Sequence, residues 1–237
     1  MILTDKRPYT TVVLAMSADG KIATKARSPA RFSSPADKYH LEQQVAATDA
    51  VLFGAGTLRA YGTTIRVCKP QLIQQRYQQL LPPQPVQIVV SGSGNIDRQL
   101  HFFRQPVPRY LLTTTGGAKS WQNSSEFEQI IVCETSIKSK INWINALEKI
   151  SAMGLKRLAV LGGGEIVAAM LAADLIDELW LTVCPLLLGG NNAPTPVDGE
   201  GFTELVAPRL ELLSAKVIAG EVFLHYRRQR GSDLSIL

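Results

Sequence analysis

Cysteine, histidine and long apolar runs are all scarce in this 237-residue chain. Its three cysteines, Cys68, Cys133 and Cys184, stand far apart. That spacing excludes a disulfide scaffold and any CxxC zinc module, and it points to a reducing cytoplasm. The three histidines, His40, His101 and His225, never fall within four positions of one another. No metal is therefore expected. No apolar run reaches the ~18–20 residues that span a bilayer, so no membrane partner is expected. The nearest, Arg157 to Ile176, carries Glu165, Asp174 and three glycines. The opening MILTDKRPYT has no apolar leader core, so export is not expected. GK[ST] is absent, which excludes a P-loop. Ser93 lacks the glycine two residues before it that a nucleophile elbow needs.

What is present describes a folded chain. Hydrophobic residues make up 46% and charged residues 19%, enough apolar surface for a sizeable core. The net charge of +5 is spread out, except for Arg227, Arg228 and Arg230. No basic stretch is interleaved with aromatics, so nucleic acid is not the expected partner. A phosphorylated small molecule suits the charge better.

Apolar β-branched runs alternate with helical patterns, which predicts an α/β fold with a mostly parallel, buried sheet. The expected strands are Tyr9–Met16, Ala50–Phe53, Val86–Val90, Arg109–Leu112, Gln129–Val132, Leu158–Leu161 and Leu179–Cys184. Leu210–Ile218 and Val222–Tyr226 close the chain as an antiparallel hairpin. Pro35 after Ser34 predicts a helix start, with the helix running to about Ala47. Further helices are expected over Ile141–Met153, stopping at Gly154, and Glu165–Ala173. Lys69–Gln84 reads as a surface excursion with one loose helix, and Gly116–Glu126 as a polar loop. One domain over residues 1–237 is expected, with its core at about 7–228.

Five segments carry candidate chemistry. Leu158 to Leu161 runs into Gly162, Gly163, Gly164 and Glu165, where a helix begins. Glycines admit a ligand close to the backbone, and a helix N-terminus offers N–H groups to phosphate. The spacing differs from GxGxxG in a first βα unit, and no ribose-binding acid follows about 20 residues on. Gly54-Ala55-Gly56-Thr57 follows a second strand with small residues and a hydroxyl. Ser91-Gly92-Ser93-Gly94 ends a third, in a form that suits a phosphate such as the 2′-phosphate of NADPH. Met16-Ser17-Ala18-Asp19-Gly20-Lys21 puts an acid and an amine in one turn, a pair able to move protons. Pro185 to Gly190, with Pro194, Thr195 and Asp198 to Gly201, makes a long loop or lid.

In this order the segments resemble the reductase family of riboflavin biosynthesis, itself similar in fold to dihydrofolate reductase. The resemblance runs from Arg7 to Arg227. It rests above all on MSADGKIA, GAGT and GGGEIVAAMLAADLIDELWLTVCPLLLGG. It implies a three-layer fold with helices on both faces of the sheet, a stand-alone homodimeric reductase and NADPH as cofactor. Gly162, Gly163, Gly164, Glu165, Ile166 and Val167 would cradle the diphosphate. Gly54 and Thr57 would lie against the cofactor, with Ser91, Gly92 and Ser93 at its adenosine end. Met16 and Ser17 would line the nicotinamide, with Lys21 and Asp19 as the catalytic pair. Arg31, Ser33, Tyr61, Ile65, Arg66 and Leu161 fall at substrate positions.

The chain also departs from that family. Tyr61 and Gly62 replace two acids, Thr64 replaces an arginine and Leu161 replaces an acid. Arg31 stands for a tryptophan and Val45 for an arginine. Arg59, Arg66 and Arg31 are candidates to take over the phosphate, and Arg98 lies near the SGSG turn. The implied substrate is a ribosylamino-pyrimidine 5′-phosphate, reduced to its ribitylamino product. Two alternatives stand beside it. One is a reductase of another carbonyl, imine or pterin, and the other is a nucleotide-binding module without catalysis.

Overall fold

In a computed structural model, the structure describes residues 6–136 and 140–230. The sequence MILTDKRPYT, read above as lacking a leader, begins outside them. Nine strands form one sheet in the order β5-β4-β3-β2-β6-β1-β7-β9-β8. They are β1 (Tyr9–Ser17), β2 (Ala50–Gly54), β3 (Val86–Val90), β4 (Arg109–Thr113), β5 (Gln129–Val132), β6 (Arg157–Val160), β7 (Glu178–Cys184), β8 (Leu210–Ile218) and β9 (Glu221–Arg228). The first seven run parallel, and β9 and β8 continue the sheet antiparallel. The α/β architecture expected from the alternating pattern is what the chain adopts.

Among the described residues six α-helices are present: α1 (Pro35–Ala46), α2 (Ala55–Tyr61), α3 (Pro70–Gln78), α4 (Thr115–Ala118), α5 (Trp143–Ala152) and α6 (Gly164–Ala172). Both faces of the central strands are covered, which is why those strands are mainly apolar. On β2, Ala50 and Leu52 pack toward α5 and α6, through Leu147, Ile150, Val167 and Met170. Val51 points the other way, toward Val45 of α1 and Leu72 of α3. Phe53 joins Leu58 of α2 and Phe102 on that second face.

Local chemistry sets the element boundaries. Ser34 Oγ accepts from the Ala36 and Asp37 amides, and Pro35 takes the first helical position of α1. Asn142 caps α5 by accepting from Asn145 N, so that helix starts after Ile141. The β8–β9 turn places Ala219 at φ 52° and Gly220 at φ 81°, the left-handed pair of a tight hairpin.

Three expectations are corrected. The GAGT segment is the first turn of helix α2, a helix absent from the sequence reading; it ends at Gly62, in the left-handed conformation. The excursion over Lys69–Gln84 is anchored, since buried Arg76 donates to the carbonyls of Ala46, Thr48 and Pro82. Gly116–Glu126 holds a short helix and a 3-10 turn around Trp121, whose ring is buried and whose Nε1 donates to Gly94 O at 2.7 Å. Its sequence is polar, but one tryptophan pins it.

The chain leaves β2 toward β3 and leaves β6 toward β7, in opposite directions across the sheet. Adjacent parallel strands that part in this way open a crevice at their C-terminal ends.

Candidate active site

A cavity of about 570 Å³ fills that crevice. Strand ends β3, β2, β6 and β1 supply its floor, and α1, α2, α6 and the 22–33 loop supply its walls. The residues predicted from sequence that line it are Gly54, Thr57, Ser91, Gly92, Ser93, Gly162, Gly163, Gly164, Glu165 and Ile166, with Ser33, Tyr61 and Leu161. Met16, Ser17, Asp19, Lys21, Val167, Arg31, Ile65 and Arg66 lie outside the lining. Val167 is buried in the core under α6, and Ile65 packs beside Val45 and Leu72.

The glycine run divides its tasks. Gly162 has φ 127° and Gly163 has φ 90°, conformations that residues with a Cβ rarely adopt. Gly164 is needed for another reason. A Cβ there would meet Thr195 O at 2.4 Å and Asp198 Oδ2 at 2.5 Å, so its bareness lets the 194–198 loop dock on α6. The α6 N-cap, Gly163, provides no side-chain hydrogen bond to the first turn. Ile166 N donates to Gly163 O at 2.8 Å, while Gly164 and Glu165 begin the helix at the cavity wall, a position where a helix N-terminus favours an anion. A Cβ at Gly56 would meet nothing within 4 Å. These features fit a dinucleotide laid across the strand ends, its diphosphate over Gly162 and Gly163.

The MSADGKIA segment does something else. Asp19 Oδ1 accepts from Ser17 Oγ at 2.6 Å and from Leu188 N at 3.0 Å, and its Oδ2 accepts from Gly189 N at 2.6 Å. Ala18 N donates to Leu186 O, and Ile22 N donates to Pro194 O. The MSADGKIA and PLLLGG motifs are thus two sides of one joint. These hydrogen bonds, that from Ser17 foremost, pull Asp19 down to about 2. A carboxyl held so low carries no proton to give near neutral pH.

Three acids line the cavity, Glu165, Asp198 and the buried Asp37, which the sequence reading missed. Asp37 is 6% exposed in the first turn of α1. Burial raises its pKa, and the nearby Glu221 charge adds to the effect; hydrogen bonds with Thr182 and Ser33 act in the opposite sense. Glu221 is itself tied down, accepting from Ser34 N at 2.8 Å and from Ser34 Oγ. Cys184 donates its thiol to Glu221, and burial with that bond pushes it up to about 12. It is therefore an inert thiol. An acid in the first turn of a helix ordinarily signals only dipole compensation, and nothing in the pattern marks this one as facing a cleft.

Tyr61 holds the rim. Its hydroxyl accepts from Ala30 N at 2.9 Å and donates to Ala30 O at 3.2 Å, tethering the loop before α1 to the end of α2. Arg27 and Arg59 put two exposed guanidinium groups into the lining. Among the described residues, no group of three His, Cys, Asp or Glu is placed to hold a metal ion, and no helix is long and apolar enough to cross a membrane.

Fold and cleft together define a mostly parallel α/β protein with one large cleft at the C-terminal ends of its central strands. Residues 8–224 match the family model described as RibD C-terminal domain, and the chain belongs to that family. It is an oxidoreductase of the riboflavin-pathway reductase type. A similar protein from Archaeoglobus fulgidus is named 2,5-diamino-6-ribosylamino-4(3H)-pyrimidinone 5′-phosphate reductase. It is 27% identical over 83% of this chain and 89% of its own length. A protein of the same name from Methanothermobacter thermautotrophicus is also 27% identical, over 93% of this chain and 98% of its own. A pyrimidine reductase-like protein from Corynebacterium diphtheriae shares the fold. Its TM-score is 0.79 at 20% identity, covering 98% of this chain and 96% of that one.

Proposed function

We propose that the chain reduces a ribosylamino-pyrimidinone 5′-phosphate to its ribitylamino product with NADPH. The observation that carries this is a cleft of about 570 Å³ whose lining joins the Gly162 to Gly164 run at the start of α6 to the buried acid Asp37. When bound, the reduced nicotinamide supplies the hydride. The chain supplies position: Gly162, Gly163 and the α6 N-terminus fix the diphosphate, and Leu14, Ala15 and Leu161 exclude water beside the reacting carbon. As the ribose ring opens, its oxygen takes a proton. Asp37 replaces Asp19 and Lys21 as the group that holds it, because its raised pKa keeps it protonated to higher pH than an ordinary carboxyl. Arg27 offers the substrate phosphate a guanidinium at the rim.

The reading carries a cytoplasmic homodimer. The apolar side chains left exposed on β8, Leu210, Leu212, Val217 and Ile218, are a surface that a second copy would cover, and sedimentation velocity tests it.

A second reading is favoured by Asp37 together with Leu161 and Tyr61. A buried carboxyl whose pKa is raised by burial and by the Glu221 charge suits protonation of a C=N bond, as in a reduced pterin or another imine. The test is absorbance at 340 nm with NADPH and the pyrimidinone phosphate, with and without its 5′-phosphate, and with dihydropterins. Consumption that requires the phosphate supports the first reading. Consumption with a dihydropterin alone supports the second.

A further inference from the structure

Two arginines flank the Ser91 to Gly94 turn, and the structure distinguishes them. Arg98 is fully engaged: it donates to Ser120 O at 2.8 Å, pairs with Glu126 at 3.5 Å and lies 4.6 Å over the Trp121 ring. It does not line the cleft. Arg59, near the end of α2, does line it. Its guanidinium is exposed and makes one long hydrogen bond, to Asn95 O at 3.4 Å, just beyond the turn. The acids of the lining, Asp37, Glu165 and Asp198, belong to α1, α6 and the 194–198 loop, and none lies on the Ser91 to Ser93 turn. A site made for NADH places a carboxylate on the ribose hydroxyls, whereas a site made for NADPH places a cation there. The turn itself, with Arg59 beside it, offers two serine hydroxyls and a cation, and carries no acid of its own.

We infer that Arg59 selects NADPH over NADH, pairing with the adenosine 2′-phosphate from beside the Ser91 to Ser93 turn. The inference rests on the NADPH reading above and adds the residue that enforces it. It also moves Arg59 from the substrate phosphate, where sequence placed it as a candidate, to the cofactor. The guanidinium is suited to the task because its fork matches a phosphate and its single weak bond is easily given up.

The test is binding by calorimetry or tryptophan fluorescence with the full chain, using NADPH, NADH and 2′,5′-ADP. Wild type is expected to bind NADPH roughly 30-fold or more tighter than NADH. Arg59→Ala should weaken NADPH and 2′,5′-ADP by roughly 10- to 100-fold and leave NADH within about twofold, the scale of one lost charge-assisted contact. Its melting temperature should be unchanged, since the side chain is exposed. Arg98→Ala should leave the preference intact. Equal weakening of both dinucleotides by Arg59→Ala, no weakening of NADPH, or a selective loss in Arg27→Ala instead would each overturn the assignment. If wild type binds NADPH and NADH equally, the assignment falls and the reductase reading stands. If it binds neither, the NADPH reading falls and takes the assignment with it.

Discussion

The two ends of the cleft are built by different means. The end at Ser91 to Ser93 and Gly162 to Gly164 is made largely of backbone, with glycine conformations, small hydroxyls and a helix start. The end at Asp37, Leu161 and Tyr61 is made of side chains that arrive from α1, β6 and α2. A backbone-built site is local in sequence and tolerates little change. A side-chain site can be rebuilt one residue at a time.

The largest effect is expected at the side-chain end. Asp37→Asn should lower turnover by roughly 100-fold or more, the scale of a lost general acid, while NADPH affinity stays within about twofold. The variant should fold, because it removes one acid from beside Glu221. Stopped-flow turnover and calorimetry separate the two effects. Unchanged turnover would make Asp37 structural and would break the contrast between the ends.

The next effect lies at the backbone end. Gly164→Ala puts a Cβ against Thr195 O and Asp198 Oδ2, and should cost about 2–3 kcal/mol in urea unfolding. It should also raise the mobility of the 194–198 loop, read by hydrogen exchange. A neutral result would mean that the loop moves aside freely.

A pH profile gives the third test. Asp37 has a raised pKa in the folded chain. The stabilisation from its protonated form is fully present below the ordinary carboxylate range and is lost as pH rises through the raised value. Turnover limited by that proton should fall over the same window. Asp37→Asn should flatten this limb, whereas Asp19→Asn should leave it in place, since Asp19 is ionised well below it.

The smallest effect belongs to the rim. Tyr61→Phe removes the hydroxyl that holds Ala30, a loss of about 1 kcal/mol. KM for the reducible substrate should rise roughly fivefold with turnover unchanged. A drop in turnover instead would place the hydroxyl in the chemistry.

Much of this was legible in the order of residues. Strand runs such as Ile88–Val90 and Leu158–Val160 are apolar throughout, because both faces of the central strands are covered. Ser34-Pro35 announces a helix start through chemistry confined to a few neighbouring residues, whereas α5, read from Ile141, starts at Trp143 behind its Asn142 cap. GAGT was harder: a helix of seven residues is too short to show periodicity, so α2 reads as a turn. MSADGKIA was seen, but its task was misplaced. A pair of polar residues in a turn looks the same whether it faces a substrate or grips the backbone of a loop some 170 residues on.

Composition and local pattern were sufficient for the fold class, the strand set and the glycine-built half of the cleft, because those depend on backbone preferences that neighbouring residues impose. The assignment of Asp37 to the cleft, of Asp19 to a joint, of Gly164 to packing and of Arg59 rather than Arg98 to the open turn came from the folded chain. Each depends on what residues distant in sequence put beside it, and proximity of that kind exists only once the sheet has brought its strand ends together.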